Sequence, residues 1–322
     1  MAMRRYVYIT SCMLVMATSL MAIDQKAIDK VLEQTDARRE QAFEGLLANP
    51  NYTGLNRHIT FAMAAYWMNK QTSEADAGLV LSRDTGLHSA DIKDFRKDAY
   101  LLARIYLLFS QQSRYFPGRM SSEAEDAILE MLWDYAHVAT LEMASPSNVN
   151  WTQGTENHQS RTVVALWTTA QIFKQHPDYQ NRTYVDGSLP SQMARAFDDY
   201  FKSYAVERVR QGLTVEVASP TYAQASVSPW FNLFDFTDDP ELKDAANMLL
   251  TLYWADWAIE QIDGVRGGSR HRSYEGSASM RESGADRISW YIFGLGREAN
   301  THPGVMCAAT TAWRLSLIHI SE

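Results

Sequence analysis

An acid, an amide and an imidazole stand side by side where an apolar helix is predicted to begin. Glu156, Asn157 and His158 follow Thr155 in the stretch WTQGTENHQSR at 151–161. A helix start needs only one capping side chain. Thr155 can supply it, with Glu156 favoured by the helix dipole and His158 on the surface. The alternative is acid–base chemistry, because an imidazole with a pKa of about 6.5 can take up a proton at neutral pH. The stretch alone is compatible with both interpretations.

A second polar segment lies at 212–222. Two valines flank Glu216 there, which predicts a short extended segment, and Pro220 prevents a helix from running through the residue before it. Tyr222 then either anchors this turn by packing or presents its hydroxyl to a cleft.

The most basic part of the chain after the N-terminal arginines is the glycine-rich stretch RGGSRHRSY at 266–274. Arg270, His271 and Arg272 are consecutive, and Tyr274 lies two residues further on. Guanidinium groups form a fork that matches carboxylate or phosphate, and glycines allow close approach of a ligand. We therefore expect this stretch to bind an anion.

The elements that position these residues are predicted to be α-helices. Apolar residues recur at spacings of three and four over long windows, and alternating runs are almost absent. Helices near the polar stretches fit 159–175, 191–211 and 239–262. Long loops on a helical scaffold often form a site, and most of the unusual polar residues fall in three of them, at 143–157, 212–232 and 263–287. The pattern predicts an all-α fold.

Both ends of the chain are predicted to lie outside the folded domain. Residues 1–22 combine two arginines with an apolar run that closes on small residues, as in a bacterial secretory signal. Residues 315–322, LSLIHISE, resemble the translation of a sequencing adapter, so the natural sequence would be cut near Arg314. One truncated domain over 23–314 is expected, periplasmic or secreted, with no stable membrane insertion after signal cleavage.

Composition argues against several classes of function. The formal net charge of −8 becomes −10 when the two N-terminal arginines are removed, and nucleic-acid binding needs a basic face instead. An acidic polymer held at a locally basic cleft remains open. The exported chain would contain one cysteine, Cys307, so that no internal disulfide can form. Histidines lack paired ligand spacing and no nucleophile-elbow motif occurs, so neither a metal nor a cofactor is predicted.

In this order, the three polar stretches resemble those of the helical-toroid polysaccharide lyases, the group that includes alginate lyases and heparinase-like proteins. The matching motifs are Glu156-Asn157-His158, Glu216-x-x-Ser219-x-x-Tyr222 and Arg270-His271-Arg272-x-Tyr274. They cover about 150–280. The resemblance implies an incomplete (α/α) toroid of helical hairpins and an anionic, uronate-containing polysaccharide or oligosaccharide as substrate, such as alginate or glucuronan.

The resemblance also implies roles for these residues in β-elimination. Asn157 would hydrogen-bond the uronate carboxylate, His158 would remove the proton from C5, and Tyr222 would protonate the departing O4. In some lyases the tyrosine takes both proton roles, and His158 would then help to neutralise the acid group. Substrate contacts are expected for a further set of residues: Trp151, Glu156, Glu216, Arg270, His271, Arg272 and Tyr274.

Two other functions remain open from the sequence. A glycoside hydrolase needs two carboxyl groups across a cleft, and Glu156 and Glu216 are the candidates. Helical toroids also host hydrolases, so that the fold does not decide between them. The third hypothesis is a non-catalytic carbohydrate-binding protein of the cell envelope.

Overall fold

The computed structural model describes residues 25–50, 54–89, 93–150, 154–267, 284–296 and 303–314. The predicted signal segment at 1–22 and the adapter-like end at 315–322 fall outside these ranges. So do five predicted substrate-binding residues, namely Trp151, Arg270, His271, Arg272 and Tyr274. What the sequence predicts for them stays a prediction.

The described chain is mostly helical, which confirms the all-α prediction. The helices are α1 (Gln25–Ala48), α2 (Leu55–Met68), α3 (Thr72–Asp84), α4 (Arg96–Phe109), α5 (Ser122–Ala136), the 3₁₀ turn η1 (Pro146–Asn148), α6 (Glu156–Phe173), α7 (Pro190–Arg210), α8 (Ala223–Val227), α9 (Trp230–Phe236), α10 (Pro240–Glu260), α11 (Gly284–Phe293) and α12 (Pro303–Thr310). Within the described ranges, strand structure is confined to a two-residue antiparallel pair, β1 (Gln261–Ile262) with β2 (Val265–Arg266). None of the helices in these ranges has the length and apolar content of a membrane span.

Local sequence signals fix several helix starts. The Ser121 hydroxyl accepts a hydrogen bond from the first turn of α5, where two glutamates also lie. The Asp239 carboxylate accepts the backbone N–H groups of Glu241 and Leu242, and a proline occupies the first position of α10. Capping side chains satisfy unpaired N–H groups of a helix start and first-turn acids favour its dipole, so α5 and α10 begin directly after these residues.

Three predictions about the loops need correction. Helix α6 begins at Glu156 rather than at 159, so the acid, amide and imidazole form its first turn. The predicted loop at 212–232 contains α8 and the start of α9. The predicted extended segment around Glu216 is a pair of turns, because the Val217 N–H bonds to the Thr214 carbonyl at 3.2 Å and the next turn closes at 2.9 Å.

Helices α4 and α6 pack side by side and run in the same direction. One cavity is lined by residues from the first turn of both helices, and another by residues from the last turn of both. Helix α5 runs the opposite way, because Tyr135 in its last turn lines the first of these cavities. The starts of α4 and α6 and the end of α5 therefore meet in one place.

The last described helices pack against the first ones. Helix α11 contacts α1, where the Arg38 Nε donates to the Tyr291 carbonyl at 2.9 Å. Helix α12 contacts α2. The two ends of the described chain are thus held together.

A charged group lies at the centre of the core. Arg104 of α4 is 0% exposed and donates to Thr310, Asn232 and Asp235 at 2.7, 3.0 and 2.7 Å. The other oxygen of Asp235 accepts the Thr311 hydroxyl and a backbone N–H, each at 2.9 Å. This buried ion pair ties α4 to α9 and to the end of α12.

Candidate functional site

The first turn of α6 directs its three polar residues to different surroundings. Successive helix residues are rotated by about 100° around the axis, so neighbours in sequence do not share a face. Glu156 and Asn157 contact the turn that contains Glu216. His158 lines a cavity on another side of the helix.

Glu156, Asn157 and Glu216 form a reciprocal hydrogen-bonded tie. One Glu216 carboxylate oxygen accepts both the backbone N–H of Asn157 at 3.1 Å and its side-chain amide at 2.8 Å. In return, a Glu156 carboxylate oxygen accepts the backbone N–H of Glu216 at 2.9 Å. Asn157 is 1% and Glu216 is 4% exposed. The structure therefore brings together two of the motifs that the sequence analysis singled out.

Arg208 of α7 completes this tie, and sequence reasoning missed it. Its guanidinium donates to Glu156 at 3.2 Å and to the side-chain oxygen of Asn150 at 2.6 Å. Arg208 is buried, so the positive charge compensates an acid that would otherwise be costly to bury. Both glutamates are thus engaged inside the protein, and the tie fixes the start of α6 and the direction of His158.

Asn157 makes its donor contacts within the protein. Its amide nitrogen bonds to Glu216 and also to the Thr155 hydroxyl at 2.8 Å. Among the described residues, its Oδ1 is buried and has no hydrogen-bond partner. A bond from this amide to a substrate carboxylate would have to replace one of the two internal bonds.

His158 lines a cavity of about 410 Å³, and two cationic side chains line the same cavity. Lys93 lies in the turn before α4, and Arg96 is the first residue of that helix. Tyr135 and Thr162 also line it. The remaining described lining is apolar or small and consists of Val138, Ala139, Met143, Gly154 and Leu166.

The surroundings of His158 keep its imidazole neutral at pH 7. Burial lowers the pKa of His158 below its usual value, and the positive charges of Arg96, Arg161 and Lys97 lower it further. The negative charge of Asp94 acts in the opposite direction but does not cancel them. A neutral imidazole can accept a proton, and a carboxylate in this cavity would meet an excess of positive charge.

Arg96 retains hydrogen-bonding capacity. It donates to the Lys93 carbonyl and, at 3.2 Å, to the Asp94 carboxylate, which also pairs with Lys97. The bond to Lys97 is the largest cause that lowers the pKa of Asp94. Within the described part of the chain, the Arg96 Nε is buried and has no partner. Its contacts are all with groups of the same short stretch, so the guanidinium is placed beside the cavity by local structure.

Tyr222 lies in the turn that precedes α8 and is partly exposed. Its backbone N–H bonds to the Ser219 hydroxyl at 3.1 Å. It is not among the described residues that line the His158 cavity. The catalytic pairing of His158 with Tyr222 stays a prediction.

Arg266 begins the glycine-rich stretch, and its charge is engaged within the protein. The guanidinium is buried and pairs with Asp256 at 2.6 Å and with Glu260 at 2.8 Å. Its backbone N–H bonds to Asp286, which also accepts the Trp257 indole. This arginine holds the end of α10 to the β1–β2 turn.

The cationic residues of the cavity could have been suspected from one sequence signal. KDFRKD at 93–98 concentrates charge immediately before an apolar helical stripe, and a single phenylalanine interrupts it. The signal was missed because such a run usually forms a solvated face. Here Phe95 is buried and holds the run against the protein, so that Lys93 and Arg96 line the cavity.

Comparison with known proteins gives no relative. The chain matches no protein-family model, no curated protein and no solved structure. Among the described residues, no group of three or more histidine, cysteine, aspartate or glutamate side chains is arranged to hold a metal ion.

Proposed function

We propose that the protein is an exported polysaccharide lyase that cleaves a uronate-containing polysaccharide by β-elimination. One observation carries the proposal: the imidazole of His158 lines the same cavity as two cationic side chains, Lys93 and Arg96. This combination meets two requirements of β-elimination: a base for the C5 proton and a positive charge beside the substrate carboxylate.

The chemistry explains why both are needed. The proton on C5 of a uronate is barely acidic while the neighbouring carboxylate keeps its full charge. Arg96 and Lys93 would hold that carboxylate and stabilise the negative charge that grows on it in the enolate-like transition state. His158 would remove the C5 proton, and a tyrosine would protonate O4 as the C4–O4 bond breaks. The apolar wall of the cavity would face the sugar ring.

The helix packing supports a toroidal arrangement as part of this proposal. Parallel α4 and α6 with α5 returning between them is the pattern of successive helical hairpins. Contacts of α11 with α1 and of α12 with α2 would bring the ends of such a ring together. We propose that the described helices form most of an (α/α) toroid with the His158 cavity at one end.

The contacts of the two glutamates favour the lyase over the hydrolase. A hydrolase would need Glu156 and Glu216 to reach a glycosidic bond from opposite sides. Instead, Glu156 bonds to Arg208 and to a backbone N–H, and Glu216 bonds to Asn157. Both carboxylates are thus engaged by groups of the protein itself.

A screen of anionic polysaccharides tests the proposal. The chain is incubated with alginate, glucuronan and glycosaminoglycans, and ultraviolet absorbance of the new C4–C5 double bond is followed together with reducing ends. We expect absorbance with at least one polymer and a loss of about 10²–10⁴-fold in kcat for His158→Ala. Glu216→Gln is the variant that tests the hydrolase alternative: its amide oxygen can still accept a bond from Asn157, so a lyase should lose much less turnover with it than with His158→Ala.

Two outcomes would overturn the proposal. Reducing ends without absorbance, abolished by Glu216→Gln, would establish a hydrolase. Retention of an oligosaccharide without any turnover, altered only in affinity by His158→Ala, would establish a carbohydrate-binding protein.

A further inference from the structure

A second titratable side chain faces the His158 cavity from another helix. Tyr135 lies in the last turn of α5, is 7% exposed and lines the cavity. Thr162 of α6 lines the same cavity and acts on the phenol so as to lower its pKa. Thr162 lies one helical turn beyond His158, and both line the cavity, so they share one face of α6.

Packing holds the Tyr135 ring in place. Phe95, in the turn before α4, meets it edge to face with 5.5 Å between ring centroids. Phe95 thus packs against the phenol from the turn before α4, while Thr162 of α6 lines the same cavity.

The surroundings raise the pKa of Tyr135 and lower the pKa of His158. Burial raises the pKa of Tyr135 to about 12, and Thr162 and the charge of Arg96 reduce this rise only in part. Burial, Arg96, Arg161 and Lys97 lower the pKa of His158. At neutral pH the cavity thus contains one group that carries a proton and one that can accept a proton. Paired groups whose pKa values diverge in this way are typical acid and base partners.

We infer that Tyr135 is the acid that protonates the leaving O4 in the cavity where His158 removes the C5 proton. The inference rests on the proposed lyase function and gives Tyr135 the role that the motif resemblance gives to Tyr222. The C5–H bond breaks and its electron pair forms the C4–C5 double bond. The C4–O4 bond breaks, and O4 takes the phenol proton. The imidazolium and the phenolate then exchange a proton through water, which restores both groups.

The test compares Tyr135→Phe with Tyr222→Phe on a polymer that the wild-type chain cleaves. We expect Tyr135→Phe to lower kcat by about 10²–10⁴-fold with little change in KM, because a general acid acts in the transition state. Tyr222→Phe should retain kcat within about tenfold, a loss of less than about 1.4 kcal/mol in transition-state stabilisation.

A substrate with a better leaving group separates catalysis from structure. A uronate that carries nitrophenol at C4 needs no acid to expel its leaving group, so Tyr135→Phe should cleave it at nearly the wild-type rate. His158→Ala should remain slow on the same compound, because the C5 proton must still be removed.

Three results would overturn the inference, and they differ from one another. Full activity of Tyr135→Phe with an inactive Tyr222→Phe would return the acid role to Tyr222. Equal loss on both substrates would show that Tyr135 only supports the cavity. A wild-type chain that forms no double bond would remove the lyase function itself.

Discussion

Helix α4 carries two arginines that the protein uses in opposite ways. Arg104, in the third turn, is fully buried, and its Nε and both terminal nitrogens donate to side chains of α9 and α12. Arg96, at the start of the helix, bonds to groups of its own turn and lines a cavity. The same residue type thus completes the core at one position and offers positive charge at the other.

The difference shows what separates a structural charge from a candidate ligand-binding charge. Arg104 bonds to Asp235 and to two neutral oxygens, and its complete burial keeps it out of reach of a ligand. The same criterion applies to the glutamates of the first α6 turn and of the Glu216 turn, which meet Arg208 and Asn157 inside the protein. His158 and Arg96 differ from these residues because each lines a cavity. Engagement of the side chain, rather than its chemical type, therefore distinguishes the site.

The largest effect is expected for Arg104→Met, which tests the structural side of this comparison. The substitution leaves the Asp235 carboxylate buried without its counter-charge. Breaking a buried ion pair in this way costs about 3–5 kcal/mol. Urea denaturation should show the loss as a lower free energy of unfolding.

Arg210→Met is the matched control, because Arg210 pairs with Glu207 on the exposed surface of α7. Its free energy of unfolding should stay within about 0.5 kcal/mol of wild type. If both variants had the same free energy of unfolding, the buried Arg104–Asp235 ion pair would not hold α4 to α9 and α12.

The sequence allowed much of the fold to be predicted, for physical reasons. Long helices bury one face, so their apolar residues recur at spacings of three and four, and their starts carry capping residues such as Ser121 and Asp239. Helices α8 and α9 were missed because they have five and seven residues, too few for a periodic pattern. The three-residue error at Glu156 arose because the first turn of α6 is polar and lacks an apolar stripe.

Two of the singled-out motifs do meet, because Glu156 and Asn157 contact Glu216, but they form an internal tie, and the substrate and catalytic roles predicted for them stay predictions. Lys93, Arg96 and Tyr135 were not found, because they belong to two earlier parts of the chain. Only the parallel packing of α4 and α6, with α5 returning, brings them to His158. Single-sequence periodicity reports which face of a helix is buried but not which helices become neighbours.

A smaller effect is expected for Arg96→Gln, which tests the ligand-binding side of the comparison. Hydrogen bonds to charged groups contribute about 1.5–3 kcal/mol, and each 1.4 kcal/mol corresponds to a factor of ten. Loss of the carboxylate contact should therefore lower kcat/KM by about 10–100-fold, with little change in the free energy of unfolding. Steady-state kinetics on the cleaved polymer measure this.

Arg83→Gln serves as the control for Arg96→Gln. Arg83 pairs with Asp84 and Glu130 away from the cavity lining, so that its kinetics should match wild type. If Arg96→Gln kept wild-type kcat/KM, the cation at the start of α4 would have no part in substrate binding.

The smallest effect concerns the pH dependence of kcat/KM. A base must be neutral, so activity falls as the pH drops through the pKa of His158. This fall is the acid limb of the pH profile of kcat/KM. It should lie below pH 6.5, because burial, Arg96, Arg161 and Lys97 all lower the pKa of His158. Arg96→Gln removes the largest charge contribution and raises the pKa, so its limb should move to higher pH. Burial remains in this variant, so the limb should stay below that of a fully solvated imidazole.

Asp94→Asn should shift the acid limb in the opposite direction to Arg96→Gln. Asp94 raises the pKa of His158, so removing its negative charge should move the limb to lower pH. Because Asp94 also pairs with Arg96 and Lys97, both substitutions disturb the same local contacts, and a nonspecific disturbance would shift both profiles alike. Shifts in opposite directions would identify His158 as the titrating base, whereas shifts in the same direction would exclude it.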